Sequence, residues 1–141
     1  MTPTPVETQT AQKILIVEDE GEMCLVLNIL LSYEDFELEH VKSLSAADAY
    51  LAENKPSLII LDNKLPDGYG IDFISYLKKS YPSIKIIMIT GYDASAKDVA
   101  MENGAEIFLE KPFTKQQLFD SVVGLRLMAL VLRTTRLFTR V

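Results

Sequence analysis

Short apolar runs in this chain end at side chains that could bind a cation together with an anionic group. The polar residues at or just after these ends are Glu18, Asp19, Asp62, Thr90 and Lys111. If the runs are parallel strands, their carboxyl ends lie along one edge of a sheet, where open α/β sheets bind ligands. Neighbouring strands are about 4.8 Å apart, so acids at two adjacent ends are close enough to share one cation.

Three acids at one edge need a counter-ion, because their mutual repulsion opposes simultaneous ionisation. A hard divalent cation with oxygen ligands keeps such acids ionised. Mg²⁺ suits the predicted site because it accepts a few carboxylates, retains waters and leaves room for phosphate oxygens. Any one of these acids alone is more simply a loop or helix-capping residue. Two acidic strand ends together with a hydroxyl and a lysine favour a shared site.

The elements that must position these side chains alternate along the sequence. Nearly continuous Ile, Leu and Val predicts buried strands at 13–17, 57–61, 84–89 and 107–109, and an alternating pattern predicts an outer strand at 36–41. Helical patterns occupy 22–32, 45–53, 71–80, 95–103 and a segment from 114 onward, with Ser45 and Thr114 as expected N-caps. The result is a (βα)5 arrangement, an α/β fold with a doubly wound, five-stranded parallel sheet. Periodicity alone does not choose the strand order, for which 2-1-3-4-5 is one common solution.

Length and composition indicate one folded domain. The 141 residues are 48% apolar and 24% charged, and no uncharged apolar stretch is long enough to span a bilayer. Residues 1–12 are rich in Thr and Pro and lack the pattern of a secretion signal, so we expect a disordered leader. One cysteine and one histidine exclude an internal disulfide and a multi-ligand zinc cluster, and we expect a cytoplasmic location.

Four sequence motifs resemble the receiver domain of two-component response regulators, which are CheY-like. The motifs are ILIVEDE, LIILDNKLPDGYG, IIMITGY and GAEIFLEKPF, and together they place the domain at 13–128. The resemblance implies a flavodoxin-like fold with strand order 2-1-3-4-5. It also implies a phosphoprotein that acts in phosphorelay signal transduction within a two-component regulatory system.

Carried over to this sequence, the resemblance makes Asp62 the phosphoacceptor. Its carboxylate would attack a phosphohistidine on a sensor histidine kinase or a histidine phosphotransfer protein. Glu18, Asp19 and Asp62, with the backbone carbonyl of Asn63, would bind Mg²⁺, while Lys111 would neutralise charge on the transferring group. The domain would assist its own phosphorylation and dephosphorylation without being an enzyme in the usual sense.

The same resemblance implies a conformational switch. Thr90 would hydrogen-bond a phosphoryl oxygen and draw the following loop inward, and Phe108 would rotate into the vacated space. This movement would change the surface of the fourth helix, fifth strand and fifth helix. The Lys111–Pro112 bond resembles the family's cis peptide, and Gly68 and Gly70 would supply backbone freedom beyond the acceptor.

Four positions depart from the commonest pattern or have two open interpretations. Glu18 stands where Asp is more usual, so its longer side chain could reach a metal-bound water rather than the metal. Phe108 lacks the hydroxyl of a tyrosine switch, which favours burial. Lys64 and Tyr92 lie two residues after the acceptor and the switch hydroxyl, respectively. They either hinder the water that hydrolyses the acyl phosphate or simply face solvent.

Two other functions stay open at this point. A receiver-like module that binds partners without phosphorylation would be favoured by loss of an acid, the hydroxyl or the lysine, and none is lost. A hydrolase with an aspartyl-phosphate intermediate would favour a second Asp where Lys64 stands.

The sequence also allows predictions about the C-terminal segment and about binding partners. Residues 129–141 are expected to form a helical extension or a linker, and a homodimer could form through them or through the switch surface. Nucleic acid would be bound only through an effector domain absent from this chain, and no membrane partner is expected. His40 lies in the outer-strand pattern and is expected to be a surface residue.

Overall fold

The computed structural model describes residues 12–21, 36–91 and 94–125. Its strands are β1 (Gln12–Val17), β2 (Phe36–Val41), β3 (Leu58–Asp62), β4 (Lys64–Leu65), β5 (Gly68–Tyr69), β6 (Lys85–Thr90) and β7 (Ile107–Glu110). Its helices are α1 (Leu44–Glu53), α2 (Gly70–Ser80), α3 (Ala94–Glu102) and α4 (115–125). The predictions for the helix at 22–32, for Tyr92 and for the extension at 129–141 lie outside the described residues. Of the leader predicted at 1–12, only Gln12 is described, and it is the first residue of β1.

Five strands form one parallel sheet in the order β2-β1-β3-β6-β7. When the short β4–β5 hairpin is set aside, this is the predicted order 2-1-3-4-5. The flavodoxin-like α/β fold is therefore confirmed for the described part of the chain.

Both faces of the sheet are buried, which accounts for the almost uninterrupted apolar runs of the strand sequences. Along β3, Ile59 and Leu61 pack into the core beneath α1, α2 and α3, whereas Leu58 and Ile60 pack into the core beneath α4. This alternation is the two-residue period of a strand. Each fully buried Leu or Ile contributes roughly 1.5–3 kcal/mol to folding, so the carboxyl ends of these strands are held firmly in place.

The sequence-based expectation for the start of α1 needs correction. The N-cap of α1 is Ser43 rather than Ser45, and the Ser43 Oγ accepts the Ala46 N–H at 3.1 Å. The backbone N–H groups of Leu44 and Ser45 instead donate to the two carboxylate oxygens of Asp67, each at 2.9 Å. Asp67 belongs to the turn of the β4–β5 hairpin, an element too short for periodicity to predict.

The predicted N-cap at Thr114 is confirmed. The Thr114 Oγ1 accepts the Gln117 N–H at 3.0 Å just before α4, as an N-cap should. Gly104, with φ of +113°, follows the end of α3. Among the helices of the described segments, none combines the length and apolar character needed to cross a membrane.

Candidate functional site

The sheet brings the predicted site residues to its carboxyl edge. In the strand register Val17 pairs with Leu61, and Asp62 pairs with Ile89, so Glu18 and Asp62 stand at adjacent strand ends. Strands β3 and β6 each run one residue further than predicted, so Asp62 and Thr90 are the final residues of their strands.

Lys111 connects two carboxylates at this edge. Its Nζ lies 3.3 Å from Asp62 Oδ2 and 3.9 Å from Glu18 Oε1. The carboxylate side chains are 7% and 2% exposed, respectively, and the lysine side chain is 23% exposed. Ionised, the three groups carry one net negative charge in a largely buried position. Such an arrangement favours an additional cation from solution.

The Asp62 carboxylate is oriented by its two oxygens having different partners. Oδ1 accepts the backbone N–H of Asn63 at 2.8 Å, whereas Oδ2 faces Lys111. One oxygen is thus fixed by the backbone, and the other points to the cationic side of the site. The two oxygens of the Asp62 carboxylate are therefore in different environments.

The loop after Asp62 folds closely back over it. Gly70 N–H donates to the Asn63 carbonyl at 2.7 Å, and Ile71 N–H donates to Asn63 Oδ1 at 3.0 Å. A Cβ at position 70 would lie 2.2 Å from the Asp62 carbonyl oxygen, so glycine is required there by close approach. Gly68 instead has a φ of +149°, the backbone freedom that was predicted.

Thr90 and Phe108 lie on the neighbouring strands. Thr90 is buried, and its carbonyl accepts the Lys111 N–H at 2.8 Å, so the hydroxyl-bearing strand end is tied to the backbone of the lysine. Phe108 is half-buried, lies opposite Met88 and packs against the core. Phe108 and Lys111 line one open pocket of about 430 Å³. The Lys111–Pro112 peptide is cis, as the resemblance implied.

Of the two residues predicted to tune hydrolysis, Lys64 lies in the described part of the chain, where no hydrogen bond or ion pair joins it to Asp62. Lys64 is exposed on β4, where its cross-strand partner is Tyr69. Tyr92 lies outside the described residues.

The predicted Mg²⁺ ligands are only partly gathered. Asp19 directly follows the buried Glu18 but is exposed. Across residues 12–21, 36–91 and 94–125, no three acidic, histidine or cysteine side chains are grouped so that they could hold a metal ion together. The donor chemistry nevertheless fits Mg²⁺, which needs one or two carboxylates and completes its shell with waters. A carbonyl oxygen has two lone pairs, and the Asn63 carbonyl uses one of them to accept the Gly70 N–H.

Sequence reasoning missed two side chains near the site. Asp67 anchors the hairpin after the acceptor to the start of α1. His40, expected at the surface, is half-buried and its Nε2 lies 2.8 Å from the Glu18 carbonyl oxygen. Each contact joins residues 22 or 23 positions apart, so no local pattern could have indicated it.

Residues 14–123 match the family model described as the response regulator receiver domain. The chain belongs to this family. Among curated relatives, it is 33% identical over 111 residues to the phosphate regulon transcriptional regulatory protein PhoB of Escherichia coli (strain K12). That match covers 77% of this chain and 48% of PhoB, so the receiver domain spans about half the length of this relative.

Solved structures agree with the family membership. The chain is similar to a response regulator receiver domain protein (CheY-like) from Methanospirillum hungatei JF-1, with a TM-score of 0.73 and 26% identity over 80% of this chain and 91% of the other. It is also similar to the beryllofluoride-activated NtrC4 receiver domain dimer, with a TM-score of 0.70 and 32% identity over 77% and 92% of the two chains. The receiver domain is thus of the response-regulator type used in two-component systems.

Proposed function

We propose that this receiver domain accepts a phosphoryl group on Asp62 from the phosphohistidine of a sensor histidine kinase or a histidine phosphotransfer protein. The observation that carries the proposal is the contact between the Lys111 ammonium and Asp62 Oδ2 at the carboxyl edge of the sheet. A buried carboxylate with an adjacent fixed cation is suited to attack an anionic phosphoryl group.

In the proposed reaction, Asp62 Oδ2 forms a bond to phosphorus while the bond from phosphorus to the histidine nitrogen breaks. The electron pair of that broken bond stays on the imidazole, and the product is an acyl phosphate on Asp62. The Lys111 ammonium, 3.3 Å from Asp62 Oδ2, would neutralise charge on the transferring oxygens. Hydrolysis of the acyl phosphate then restores the carboxylate. The domain thereby assists its own modification and its reversal.

Glu18, Asp19, Asp62 and the Asn63 carbonyl are the residues proposed to hold Mg²⁺. When bound, Mg²⁺ would neutralise negative charge on the phosphoryl oxygens. Two buried acids, Glu18 and Asp62, face the ammonium of Lys111, and this excess of negative charge supports the assignment.

Thr90 and Phe108 are proposed to convert phosphorylation into a changed surface. The hydroxyl-bearing end of β6 is bonded to the Lys111 backbone, and Phe108 shares a pocket with Lys111. A phosphoryl group on Asp62 that recruits the Thr90 hydroxyl would therefore act on β7 as well. The affected surface comprises α3, β7 and α4, where the apolar side chains of Val99 and Met101 are exposed.

This surface is also the proposed site of homodimer formation, with the extension at 129–141 as the second candidate. Nucleic acid would be reached only through an effector domain outside this chain. A cytoplasmic location is part of the same proposal, since a chain with a single cysteine has no internal disulfide to maintain.

Incubation of the purified chain with Mg²⁺ and acetyl phosphate, followed by intact mass measurement, tests the proposal. We expect a mass gain of one phosphoryl group that requires Mg²⁺ and is absent in Asp62→Asn. Asp72→Asn is the matched control, because Asp72 is an exposed aspartate in the first turn of α2 and should leave the gain intact. A folded wild-type chain that gains no mass would instead support the alternative, a module that binds partners independently of phosphorylation.

A further inference from the structure

His40 makes a hydrogen bond that joins β2 to the residue following β1. Its Nε2 lies 2.8 Å from the backbone carbonyl oxygen of Glu18, and the imidazole is half-buried. Because a carbonyl oxygen can only accept, the ring must carry its proton on Nε2 and donate it.

Both backbone polar groups of Glu18 are hydrogen-bonded to the last two residues of β2. The Glu18 N–H donates to the Val41 carbonyl at 3.0 Å, and the Glu18 carbonyl accepts from His40. Since the strand register ends at Val17 opposite Val41, these bonds extend the pairing of β1 with β2 by one residue. The first of them is an ordinary ladder bond, whereas the second depends on the side chain.

The Glu18 carbonyl belongs to the same planar peptide unit as the Asp19 amide nitrogen. Fixing the direction of this carbonyl therefore fixes the peptide that joins the two acids. Asp19 is exposed at the sheet edge, so its carboxylate depends on the backbone for its position. A hydrogen bond that prevents this peptide from rotating lowers the conformational entropy that is lost when a cation binds.

From this geometry we infer that His40 is a positioning residue for cation binding: it holds the Glu18–Asp19 peptide in the orientation that Mg²⁺ requires. The inference rests on the proposed function and adds a residue to it. It assigns His40 no contact with the cation or the phosphoryl group. The role depends on a donated hydrogen bond and not on a change in protonation.

Mg²⁺ titration followed by backbone amide NMR shifts tests this role without phosphorylation, and it suits a chain that has no tryptophan. We expect His40→Ala to weaken Mg²⁺ binding by about 3- to 10-fold, the equilibrium effect of one net hydrogen bond. His40→Gln keeps a long side chain with an N–H donor and should recover most of the affinity. His40→Asn has the same donor on a shorter side chain and should not.

Ser57→Ala is the matched control, because Ser57 Oγ donates to the Lys13 carbonyl at 3.2 Å at the opposite end of β1. It removes the same kind of bond from the same strand, away from the site, and should leave Mg²⁺ affinity unchanged. Urea unfolding of each variant separates lost stability from lost affinity. If His40→Ala does not fold, the comparison of His40→Asn with His40→Gln takes its place.

Equal Mg²⁺ affinity in wild type and His40→Ala, or an equal loss in Ser57→Ala, would overturn the positioning role. If the wild type in that experiment still binds Mg²⁺ and accepts a phosphoryl group, the proposed function survives this failure. A folded wild-type chain that binds no Mg²⁺ would overturn both.

Discussion

The Lys111 ammonium lies 3.3 Å from one carboxylate oxygen of Asp62, although the two residues are 49 positions apart in the chain. The contact exists because β3 and β7 both flank β6 and end at the same edge of the sheet. It places a fixed positive charge beside the proposed nucleophile before any substrate binds. Preorganised charge of this kind is a main source of stabilisation for a transferring anionic group.

Replacing Lys111 should therefore slow phosphoryl transfer more than it disturbs folding. We expect Lys111→Met to lower the rate of phosphorylation by acetyl phosphate by roughly 10²-fold, the usual cost of removing one charge-stabilising group. Mg²⁺ binding should persist, since Lys111 is not among its proposed ligands. Lys85→Met, at the start of β6 and the far end of the sheet, is the control and should keep the wild-type rate. Equal rates in Lys111→Met and wild type would remove Lys111 from the mechanism.

The lifetime of the acyl phosphate should depend on Lys64 and Tyr92 if these side chains hinder the attacking water. We expect Lys64→Ala and Tyr92→Ala each to accelerate phosphate release several-fold after the donor is removed. Tyr69→Ala, which alters the exposed cross-strand partner of Lys64, should have no such effect. Unchanged decay in both variants would show that the two side chains face solvent and have no tuning role.

The hairpin anchor at Asp67 should make stability depend on pH. The backbone N–H groups of Leu44 and then Ser45 lower the pKa of Asp67 below its ordinary value of 3.8. A lowered folded-state pKa contributes stability that is fully present above the ordinary value and is lost as the pH falls through the lowered one. The difference in free energy of unfolding between wild type and Asp67→Asn should thus be largest near neutral pH and shrink below about pH 4.

Urea unfolding across this pH range measures that difference. Ser45→Ala is the comparison, because it keeps both backbone donors and removes only the smaller contribution of the Ser45 hydroxyl, so it should retain most of the wild-type pH dependence. A difference between wild type and Asp67→Asn that stays constant from about pH 7 to about pH 3 would contradict the proposed anchor.

The ion pair between Lys78 and Glu106 should stabilise the fold without affecting the site. Lys78 Nζ lies 2.8 Å from Glu106 Oε2 and also donates to the Ile84 carbonyl at 3.2 Å, before the start of β6. Both side chains are less than a quarter exposed. We expect Lys78→Met to lower the free energy of unfolding by about 1.5–3 kcal/mol. Lys79→Met, the exposed neighbour in the same helical turn, should change it by less than about 0.5 kcal/mol.

Phosphorylation of Asp62 should proceed normally in both lysine variants, because the pair lies at the opposite edge of the sheet. A loss of stability as large in Lys79→Met as in Lys78→Met would show that the ion pair itself contributes nothing.

The sheet and the strand ends could be predicted from the sequence because strands that are buried on both faces have nearly continuous apolar sequences. Leu58, Ile59, Ile60 and Leu61 are all buried, and a short unbroken apolar run between turn residues is typical of a strand covered on both faces. The acids, the hydroxyl and the lysine could then be identified as polar residues at or just after the strand ends. Their motifs supplied the strand order, which periodicity alone could not choose.

Contacts between distant segments could not be predicted in this way. Ser43 rather than Ser45 caps α1 because Asp67, more than twenty residues later, bonds the Leu44 and Ser45 N–H groups. The bond from His40 to Glu18 likewise depends on the pairing of β1 with β2. The requirement for Gly70 arises from the approach of its backbone to Asp62, which is visible only in three dimensions.

Whether Asp62 carries the phosphoryl group can be determined by locating the acyl phosphate in the chain. Borohydride reduces an aspartyl phosphate to homoserine, which peptide mass mapping then assigns to a position. After treatment with Mg²⁺ and acetyl phosphate, we predict homoserine at position 62 and its absence when Mg²⁺ is omitted. Homoserine at another acidic position, or none in a folded chain, would contradict the claim.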